Sequence, residues 1–320
     1  MLSFRGGRFL LFVIVFPSAY FFSLFLLGFY VNGDQLHYRA FYEALGSASI
    51  RESFLLARAY IDAGEPLTIL LLWSGSVSGI PKDQYISIFN AILVTQIVFI
   101  LNRYRAGLLV VMLIASNFYL VVLMTGAERL KFAYIALAAA VLFSGYVRLL
   151  FVVLSPLTHF QSLLFFPSFT LARFYDEIKL FLSKGVFRKK SFFSCLVVFV
   201  FVFAFAFYLY PSLNKKAQAY FGMDRGGLEL LSLVALTLVA ALATRDWKRM
   251  IVLLLPCYPI IFLLGGERGN MVAVTIALWL LMVERRLNHP AVLVMLTYFS
   301  WKSVGFIRNI VLYGNGFYSG

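Results

Sequence analysis

The sequence predicts an all-α polytopic membrane protein, and three observations lead to this fold class. Hydrophobic residues make up 62% of the chain and charged residues only 13%, with a mean hydropathy of +0.88. Apolar runs of roughly 20 residues, enough to cross a hydrocarbon core of about 30 Å, recur along the chain. The alternating segments of about ten residues that are typical of a transmembrane β-barrel are not visible.

The net charge of +14 follows from membrane topology and does not indicate nucleic-acid binding. Lys and Arg fall mainly in short segments between the apolar runs, which is the positive-inside pattern of an inner-membrane protein. Cys195 and Cys257 lie inside apolar runs and are predicted to be inert small hydrophobes. We therefore expect the membrane as a partner, no nucleic acid, no metal and no cofactor.

The first apolar run, Phe9 to Tyr30, is predicted to be a retained span. It is too long for a signal-peptide core and lacks a small-residue cleavage site. The basic residues before it place the N-terminus in the cytoplasm. A polar stretch, Asn32 to Glu65, then lies on the outer side. The run Leu67 to Ile80 is short for a crossing and predicts a re-entrant or interfacial helix.

Three spans of alternating direction follow. Ile86 to Leu101 runs inward and ends before Arg103, Ala106 to Thr125 runs outward, and Phe132 to Val147 returns to Arg148. The directions follow from the basic residues, which mark the cytoplasmic ends.

The run Leu149 to Leu171 raises a parity problem, because it starts inside at Arg148 and must end inside at Arg173. A single straight span cannot do this. Pro156 removes a backbone donor and is predicted to break the helix. We expect a hairpin of two short helices with His159 near its tip.

The later basic segments 173–190, 245–249 and 284–286 are predicted to be cytoplasmic. They place Gly265 to Asn270 outside and direct the last span, Ala291 to Leu312, outward. The sequence therefore predicts about nine full spans plus two re-entrant or broken elements. They form one integral membrane domain over residues 1–320, with the N-terminus cytoplasmic and the C-terminus periplasmic.

Two similar fragments stand at the predicted outer boundary. They are Gly126-Ala127-Glu128-Arg129 and Gly265-Gly266-Glu267-Arg268. Arginine is scarce on this side and costly at a membrane boundary unless an anion holds it, so the fragments predict an anion site. The alternatives are an ordinary interfacial ion pair for the first and a plain connecting loop for the second.

Other polar groups share the predicted outer face. They are Asp34, His37, Tyr38, Glu65, Lys131, His159 and Arg308. Arginine presents a fixed fork that matches phosphate oxygens, so arginines with a histidine and carboxylates suit a phosphorylated substrate. A histidine or a carboxylate is then the candidate base.

Several of these residues also have a structural interpretation. Asp34 is a favoured N-cap residue, His159 fits a hydrogen-bonded core histidine, and Arg308 fits an anchor at the end of the last span. We expect His37 and Lys131 to be surface groups. The Walker, zinc-protease, Cys-x-x-Cys and serine-elbow motifs are missing from the sequence, so energy for any reaction has to come from an activated substrate.

Four short motifs recur in a fixed order. They are Asn-Gly-Asp-x-x-x-Tyr after the first span, Glu-Pro before a short apolar helix, an Arg opening a span, and a His in a following broken segment. The pattern resembles the bacterial O-antigen and exopolysaccharide polymerases, the Wzy/EpsG-like family. The matching residues are Asp34, Tyr38, Glu65 with Pro66, Arg129, His159 and, later in the chain, Arg268.

The resemblance implies a GT-C-like membrane glycosyltransferase that needs no nucleotide sugar. Such enzymes transfer a growing glycan from undecaprenyl pyrophosphate to the terminal sugar of a lipid-linked repeat unit, on the periplasmic face of the inner membrane. The implied partners are the lipid-linked oligosaccharide donor and acceptor and a chain-length regulator protein. One departure is the short outer loop Pro211 to Gly226, where the family often has a large one.

The same resemblance implies roles for the candidate residues. Arg129 and Arg268 would clamp the donor pyrophosphate, and His159 or else Asp34 would accept the proton of the attacking hydroxyl. The remaining substrate-binding candidates are Tyr38, Glu65, Glu128, Glu267 and Arg308. The alternatives are an O-antigen ligase, a flippase or transporter of lipid-linked sugars, and a non-catalytic subunit.

Overall fold

The computed structural model describes residues 3–186, 188–189, 192–193, 195–198, 200, 226–264 and 266–318. Over these residues the regular elements are helices and no strand is present, which confirms the all-α class. The predicted short loop 211–225 lies outside them. The chain divides into two compact units, the first built from residues up to Ser162 together with those from Leu296 onward, and the second from Leu163–Met295. One domain over residues 1–320 stays a prediction.

The helices are numbered in chain order. Those of the first unit are α1 (Ser3–Phe29), α2 (Asp34–Leu45), α3 (Ile50–Ile61), α4 (Pro66–Val77), α5 (Lys82–Arg103), α6 (Leu108–Ala115), α7 (Phe118–Thr125), α8 (Glu128–Leu142) and α9 (Gly145–Thr158). After a 3-10 turn, Phe160–Leu164, come α10 (Phe165–Lys184), α11 (Gly226–Ala243), α12 (Trp247–Leu254), α13 (Cys257–Leu264) and α14 (Gly266–Val283). Helix α15 (Pro290–Tyr313) returns to the first unit at Leu296.

Four of the described helices are long and apolar enough to cross a membrane. They are α1 from Phe9 onward, α5, α14 and α15. Helices α6 and α7 pass the same test together, with a bend of 44° between them. The helical membrane character predicted from composition is therefore supported.

The predicted span Ala106 to Thr125 is not one continuous helix, because it breaks at Ser116 and Asn117. Asn117 caps α7 by accepting a hydrogen bond from the backbone N–H of Tyr119 at 2.9 Å. The Ser116 hydroxyl donates to the Met112 carbonyl at 2.9 Å. Both side chains offer the backbone local partners that compete with a continuous helix.

The polar stretch predicted between the first span and α4 is folded into α2 and α3. Ser49 and Glu52 form a capping box at the start of α3, with Ser49 N–H donating to Glu52 Oε2 at 2.8 Å. Asp62 ends α3 in the left-handed conformation with φ of 44°. The chain then turns at once into α4, a helix of 12 residues that begins at Pro66.

The core of the first unit is apolar and lies among α2, α3, α4, α5 and α8. Its fully buried members include Phe41, Leu45, Ile69 and Ile86. Gly75 of α4 lies where the rings of two tyrosines approach the helix. A Cβ atom there would stand 2.6 Å from Tyr42 Oη and 2.7 Å from Tyr85 Cδ1.

Helices α5, α8 and α9 meet at one end of the first unit. Arg103 Nη1 donates to Val141 O at 3.4 Å, and Arg148 Nε donates to Ala140 O at 3.1 Å. Both cations therefore lie at the carbonyl end of α8, where the helix dipole favours positive charge. From this end α9 runs back along α8, and the Ser155 hydroxyl donates to Ala133 O at 3.2 Å.

The predicted break at Pro156 is wrong, because α9 continues through it to Thr158. Only one intrahelical bond is lost to the missing N–H. The helix resumes at once, and His159 N–H donates to Ser155 O at 3.0 Å. The break comes at His159, whose φ of −159° and ψ of 122° are extended. His159 therefore follows α9, a helix of 14 residues, and precedes the 3-10 turn Phe160–Leu164, so the break comes three residues after Pro156. The hairpin itself stays a prediction.

The second unit joins the three basic segments that were predicted to share one membrane side. Arg249 contacts Asp176 at 2.8 Å, and Lys179 contacts Asp246 at 2.6 Å. Glu284 accepts from the N–H of Arg245 at 2.8 Å. The parts of the three basic segments that carry Asp176, Lys179, Asp246, Arg249 and Glu284 therefore lie at one end of this unit.

We predict opposite effects for two glycine-to-alanine changes in helices. Gly75→Ala should destabilise the protein by about 1–3 kcal/mol, because two tyrosine rings leave no room for a methyl group. Gly28→Ala, in α1 with no atom within 4 Å of its Cβ position, should stabilise it by up to about 1 kcal/mol. Unfolding in mixed micelles with increasing SDS measures both. Equal effects would contradict the packing of α4.

Candidate functional site

Four residues from separate parts of the chain meet in the first unit. We call Tyr38, Glu65, Arg129 and His159 the Glu65 site. Glu65 Oε1 lies 2.7 Å from His159 Nδ1, and Glu65 Oε2 accepts from Arg129 Nη1 at 3.1 Å. Arg129 Nε donates to Tyr38 Oη at 3.1 Å. The sequence placed all four on the outer face, and the structure brings them into contact.

Three of the four members lie at the ends of helices, and Tyr38 lies inside α2. Glu65 precedes Pro66 at the start of α4, and Arg129 is in the first turn of α8. His159 follows α9, which is tied to α4 by a hydrogen bond of 2.6 Å from the Thr68 hydroxyl to Thr158 O. Groups at helix ends are fixed by the packing of whole helices, so the positions of Glu65, Arg129 and His159 follow from how α4, α8 and α9 pack.

The carboxylate of Glu65 is more buried than the side chains of its two partners, His159 and Arg129. The Glu65 side chain is 4% exposed, His159 13% and Arg129 20%. Burial alone would raise the pKa of Glu65. The hydrogen bond from His159 and the charge of Arg129 outweigh it and lower that pKa to about 2. Burial lowers the pKa of His159, although its contact with Glu65 acts in the opposite direction. The favoured state is an ionised Glu65 beside a neutral imidazole.

This state fixes the histidine tautomer. A neutral His159 that donates from Nδ1 to Glu65 keeps the lone pair on Nε2. Nε2 lies 3.1 Å from Gln161 Oε1, which can only accept, so a lone pair on Nε2 requires the Gln161 amide to turn its NH2 group toward the ring. An imidazole with one nitrogen bonded to a carboxylate and the other able to accept a proton has the geometry of a general base.

Arg129 is less open than the sequence predicted. Its Nε is bonded to Tyr38 and its Nη1 to Glu65, with a longer contact of 3.4 Å to Asp62 O. Of the three guanidinium nitrogens of Arg129, only Nη2 forms no hydrogen bond with the described part of the chain. A full two-pronged grip on a phosphate therefore requires Arg129 to give up a protein contact.

A second group of charges lies beside the Glu65 site. We call Gln35, Lys82, Glu128 and Lys131 the Glu128 cluster. Lys82 Nζ donates to Glu128 Oε1 and to Gln35 Oε1, both at 2.6 Å, and Gln35 Nε2 donates to Glu128 Oε1 at 2.9 Å. Glu128, Lys131 and Gln35 are fully buried. The first turns of α2, α5 and α8 meet here, and their positive ends favour a carboxylate.

The same side chains satisfy the end of α7. The last carbonyl groups of a helix have no partner within it. Met124 O accepts from Lys131 Nζ at 3.1 Å and from Asn90 Nδ2 at 2.7 Å. Thr125 O accepts from Gln35 Nε2. The turn between α7 and α8, which directly precedes Glu128 and Arg129, is therefore held by side chains of α2, α5 and α8.

Three sequence predictions are wrong at these residues. The ion pair between Glu128 and Arg129, given above as the alternative to an anion site, is not formed. Glu128 pairs with Lys82 instead. Lys131, predicted at the surface, is fully buried because it caps α7. Asp34 is not an N-cap: α2 begins at Asp34, Gly33 occupies the cap position, and no side-chain cap bond is present.

Among the described residues of the first unit, the candidates Asp34, His37 and Arg308 form no hydrogen bond with a member of the Glu65 site. Asp34 and His37 are exposed on α2, and Arg308 is exposed on α15. Glu267 and Arg268 lie in the first turn of α14, in the second unit, where an acidic residue suits the helix dipole. Both Glu-Arg fragments thus begin helices, α8 and α14.

Sequence reasoning missed Lys82 and Gln35. Lys82 stands in the helix breaker Pro81-Lys82-Asp83, and Gln35 follows Asp34 in the motif of the first outer segment. An acidic residue and a basic residue that open predicted spans on the same membrane side were a usable signal, because both must then lie at one depth. The sequence alone does not show that they are neighbours.

Comparisons with known proteins add no family. No protein-family model, curated protein or solved structure matches this chain.

We predict that Lys82→Met destabilises the protein by about 3–5 kcal/mol, because Glu128 loses its ammonium partner while buried. The double change Lys82→Met with Glu128→Gln should recover most of this loss. Lys184→Met, at an exposed lysine, is the control and should stay within about 1 kcal/mol of the wild type. SDS unfolding measures all three. A small loss of unfolding free energy in Lys82→Met, with no recovery in the double variant, would contradict the buried ion pair.

We also predict a loss of stability in acid. A carboxylate with a lowered pKa stabilises the fold above its ordinary value of 4.5, and this contribution is lost as the pH falls from 4.5 to about 2. It amounts to about 3 kcal/mol. Because the neutral His159 is favoured in the fold, an earlier loss begins as the pH falls below the ordinary histidine value of 6.5.

Glu65→Gln should reduce the loss between pH 4.5 and 2 by the share that Glu65 contributes, whereas Glu43→Gln, at an exposed carboxylate, should leave the loss unchanged. Unfolding curves at stepped pH test this. A Glu65→Gln protein with the wild-type acid profile would show that Glu65 is not the group responsible.

Proposed function

We propose that this protein is a polysaccharide polymerase of the periplasmic face of the bacterial inner membrane. It transfers a glycan from undecaprenyl pyrophosphate to the terminal sugar of an undecaprenyl-pyrophosphate-linked repeat unit. One observation carries the proposal: Tyr38, Glu65, Arg129 and His159, four positions of the family-like motifs, lie in contact although up to 94 positions separate bonded partners.

The proposed chemistry uses a base and a cation that stand side by side. His159 Nε2 accepts the proton of the attacking sugar hydroxyl, and Glu65 holds the imidazole in the tautomer that can do so. Arg129 stabilises the negative charge that grows on the departing pyrophosphate. Arg268 is proposed as the second arginine of the donor site, and Asp34 as the alternative base.

The proposed setting is a GT-C-like arrangement of about nine spans with the N-terminus cytoplasmic. The distribution of charged residues between the two ends of the first unit supports the predicted membrane directions of α5, α8 and α9. Arg103 and Arg148 lie together at one end, and the Glu65 site lies at the other. Under the positive-inside rule the first of these ends is cytoplasmic and the second periplasmic. A chain-length regulator is the expected protein partner.

The test supplies purified protein in nanodiscs with lipid-linked single repeats. We expect a ladder of product lengths, since a polymerase adds repeats successively. A single transfer to a lipid A core acceptor would instead indicate a ligase. Movement of the lipid across vesicles without any new glycosidic bond would indicate a flippase. If neither a ladder of polymer lengths nor a single-transfer product forms, the assignment to this class of enzyme is contradicted.

In the same assay His159→Gln should lower the rate of polymer formation by about 100-fold or more, the usual contribution of a general base. Arg129→Lys should also lower it, because lysine keeps the charge but loses the planar fork. Glu43→Gln, in α2 and exposed, is the control. Near-normal rates in the first two variants would reject the assigned roles.

A further inference from the structure

The partners of Glu65 suggest how the two halves of the proposed reaction are coupled. Both of its oxygens are engaged, Oε1 by His159 at 2.7 Å and Oε2 by Arg129 at 3.1 Å. Glu65 itself is 3% exposed. An ionised carboxylate at this burial needs a compensating charge at all times. In the resting state Arg129 supplies that charge, because the favoured imidazole is neutral.

An anion that engages the guanidinium edge of Arg129 competes with Glu65. Nε is bonded to Tyr38, so the edge that can face a phosphate is the one formed by Nη1 and Nη2. Nη1 is the nitrogen bonded to Glu65. A two-pronged contact with an anion therefore removes the compensating charge from Glu65 unless a second cation replaces it.

His159 is the group in position to be that cation. Protonation at Nε2 makes the imidazole positive while Nδ1 still donates to Glu65. We propose that Glu65 is a positioning residue that exchanges partners: an anionic ligand draws Arg129 away from Glu65 while a proton taken up by His159 replaces its charge. Each positive charge then has one negative partner both before and after the exchange.

The reaction step balances in these terms, and this part rests on the proposed function. The acceptor hydroxyl gives its proton to His159 Nε2, and its oxygen forms a bond to the anomeric carbon of the donor. The bond from that carbon to the pyrophosphate oxygen breaks, and its electron pair stays on the oxygen. The new negative charge meets Arg129 as the new positive charge on His159 meets Glu65.

The exchange makes anion binding and proton binding favour each other, as linkage requires. The charged and titratable groups that face His159 within the first unit are Glu65 at the start of α4 and Arg129 of α8, with Tyr38 of α2 behind Arg129. Gln161 does not titrate, and its Oε1 lies 3.1 Å from Nε2, where it can accept a hydrogen bond once His159 is protonated.

The test is a titration of His159 by nuclear magnetic resonance, with protein labelled with 15N-histidine in nanodiscs. The chain has three histidines, so His37→Gln and His289→Gln assign the signals. Sulfate is the probe, because it is a tetrahedral dianion whose charge is constant between pH 5 and 9. Saturating sulfate should raise the titration midpoint of His159 by about one unit, a tenfold coupling.

Two variants separate the exchange from simple attraction. In Glu65→Gln, Arg129 has no carboxylate partner at any pH, so sulfate should bind about tenfold more tightly at pH 8 than in the wild type and leave the His159 midpoint unmoved. In His159→Gln, sulfate should bind weakly at pH 6 as well as at pH 8. Glu43→Gln, at an exposed carboxylate of α2, should behave as the wild type.

A His159 midpoint that is the same with and without saturating sulfate overturns the proposal, and so does unchanged or weaker sulfate binding in Glu65→Gln. If Glu65→Gln does not fold, the wild-type titration decides alone. Polymer formation without a midpoint shift would reject the exchange and keep the polymerase. A shift without polymer formation would reject the polymerase and keep the exchange.

Discussion

A buried carboxylate, Glu128, is the constraint on which the first unit depends. It lies where the first turns of α2, α5 and α8 meet, and Lys82 and Gln35 bond to it at 2.6 and 2.9 Å. Three positive helix ends and one ammonium group make an ionised carboxylate tolerable at full burial. Because Arg129 follows Glu128 directly, the cluster that holds Glu128 also fixes where Arg129 leaves α8, and so its reach to Glu65.

The sequence predicted the members of the Glu65 site but not their pairing. Tyr38, Glu65, Arg129 and His159 were each assigned to the outer face, because topology depends on apolar runs and basic residues that a sequence displays. Which carboxylate meets which cation depends on helix packing. Adjacent residues of a helix do not share a face, and therefore Glu128 and Arg129 point to different partners. Sequence proximity suggested a pair where helix geometry forbids one.

The helix breaks show the same limit. A capping box at Ser49 and Glu52 is readable from the sequence, and α3 starts there. Pro156 was expected to break a helix, yet α9 loses one bond and continues, held on α8 by Ser155. Asn117 ends a helix without any proline, because its side chain caps the next one. In a packed bundle, neighbouring helices decide whether a weak position breaks.

The pairing of Arg129 with Glu65 also bears on which ligands the site accepts. A neutral sugar hydroxyl offers Arg129 a hydrogen bond worth about 1 kcal/mol. Leaving Glu65 buried without a compensating charge costs several kcal/mol. A neutral ligand therefore cannot draw Arg129 away, whereas an anion both compensates the arginine and favours a proton on His159. The geometry thus selects for charge before it selects for shape, which is the selectivity that the proposed donor would require, because its pyrophosphate is charged and its glycan is not.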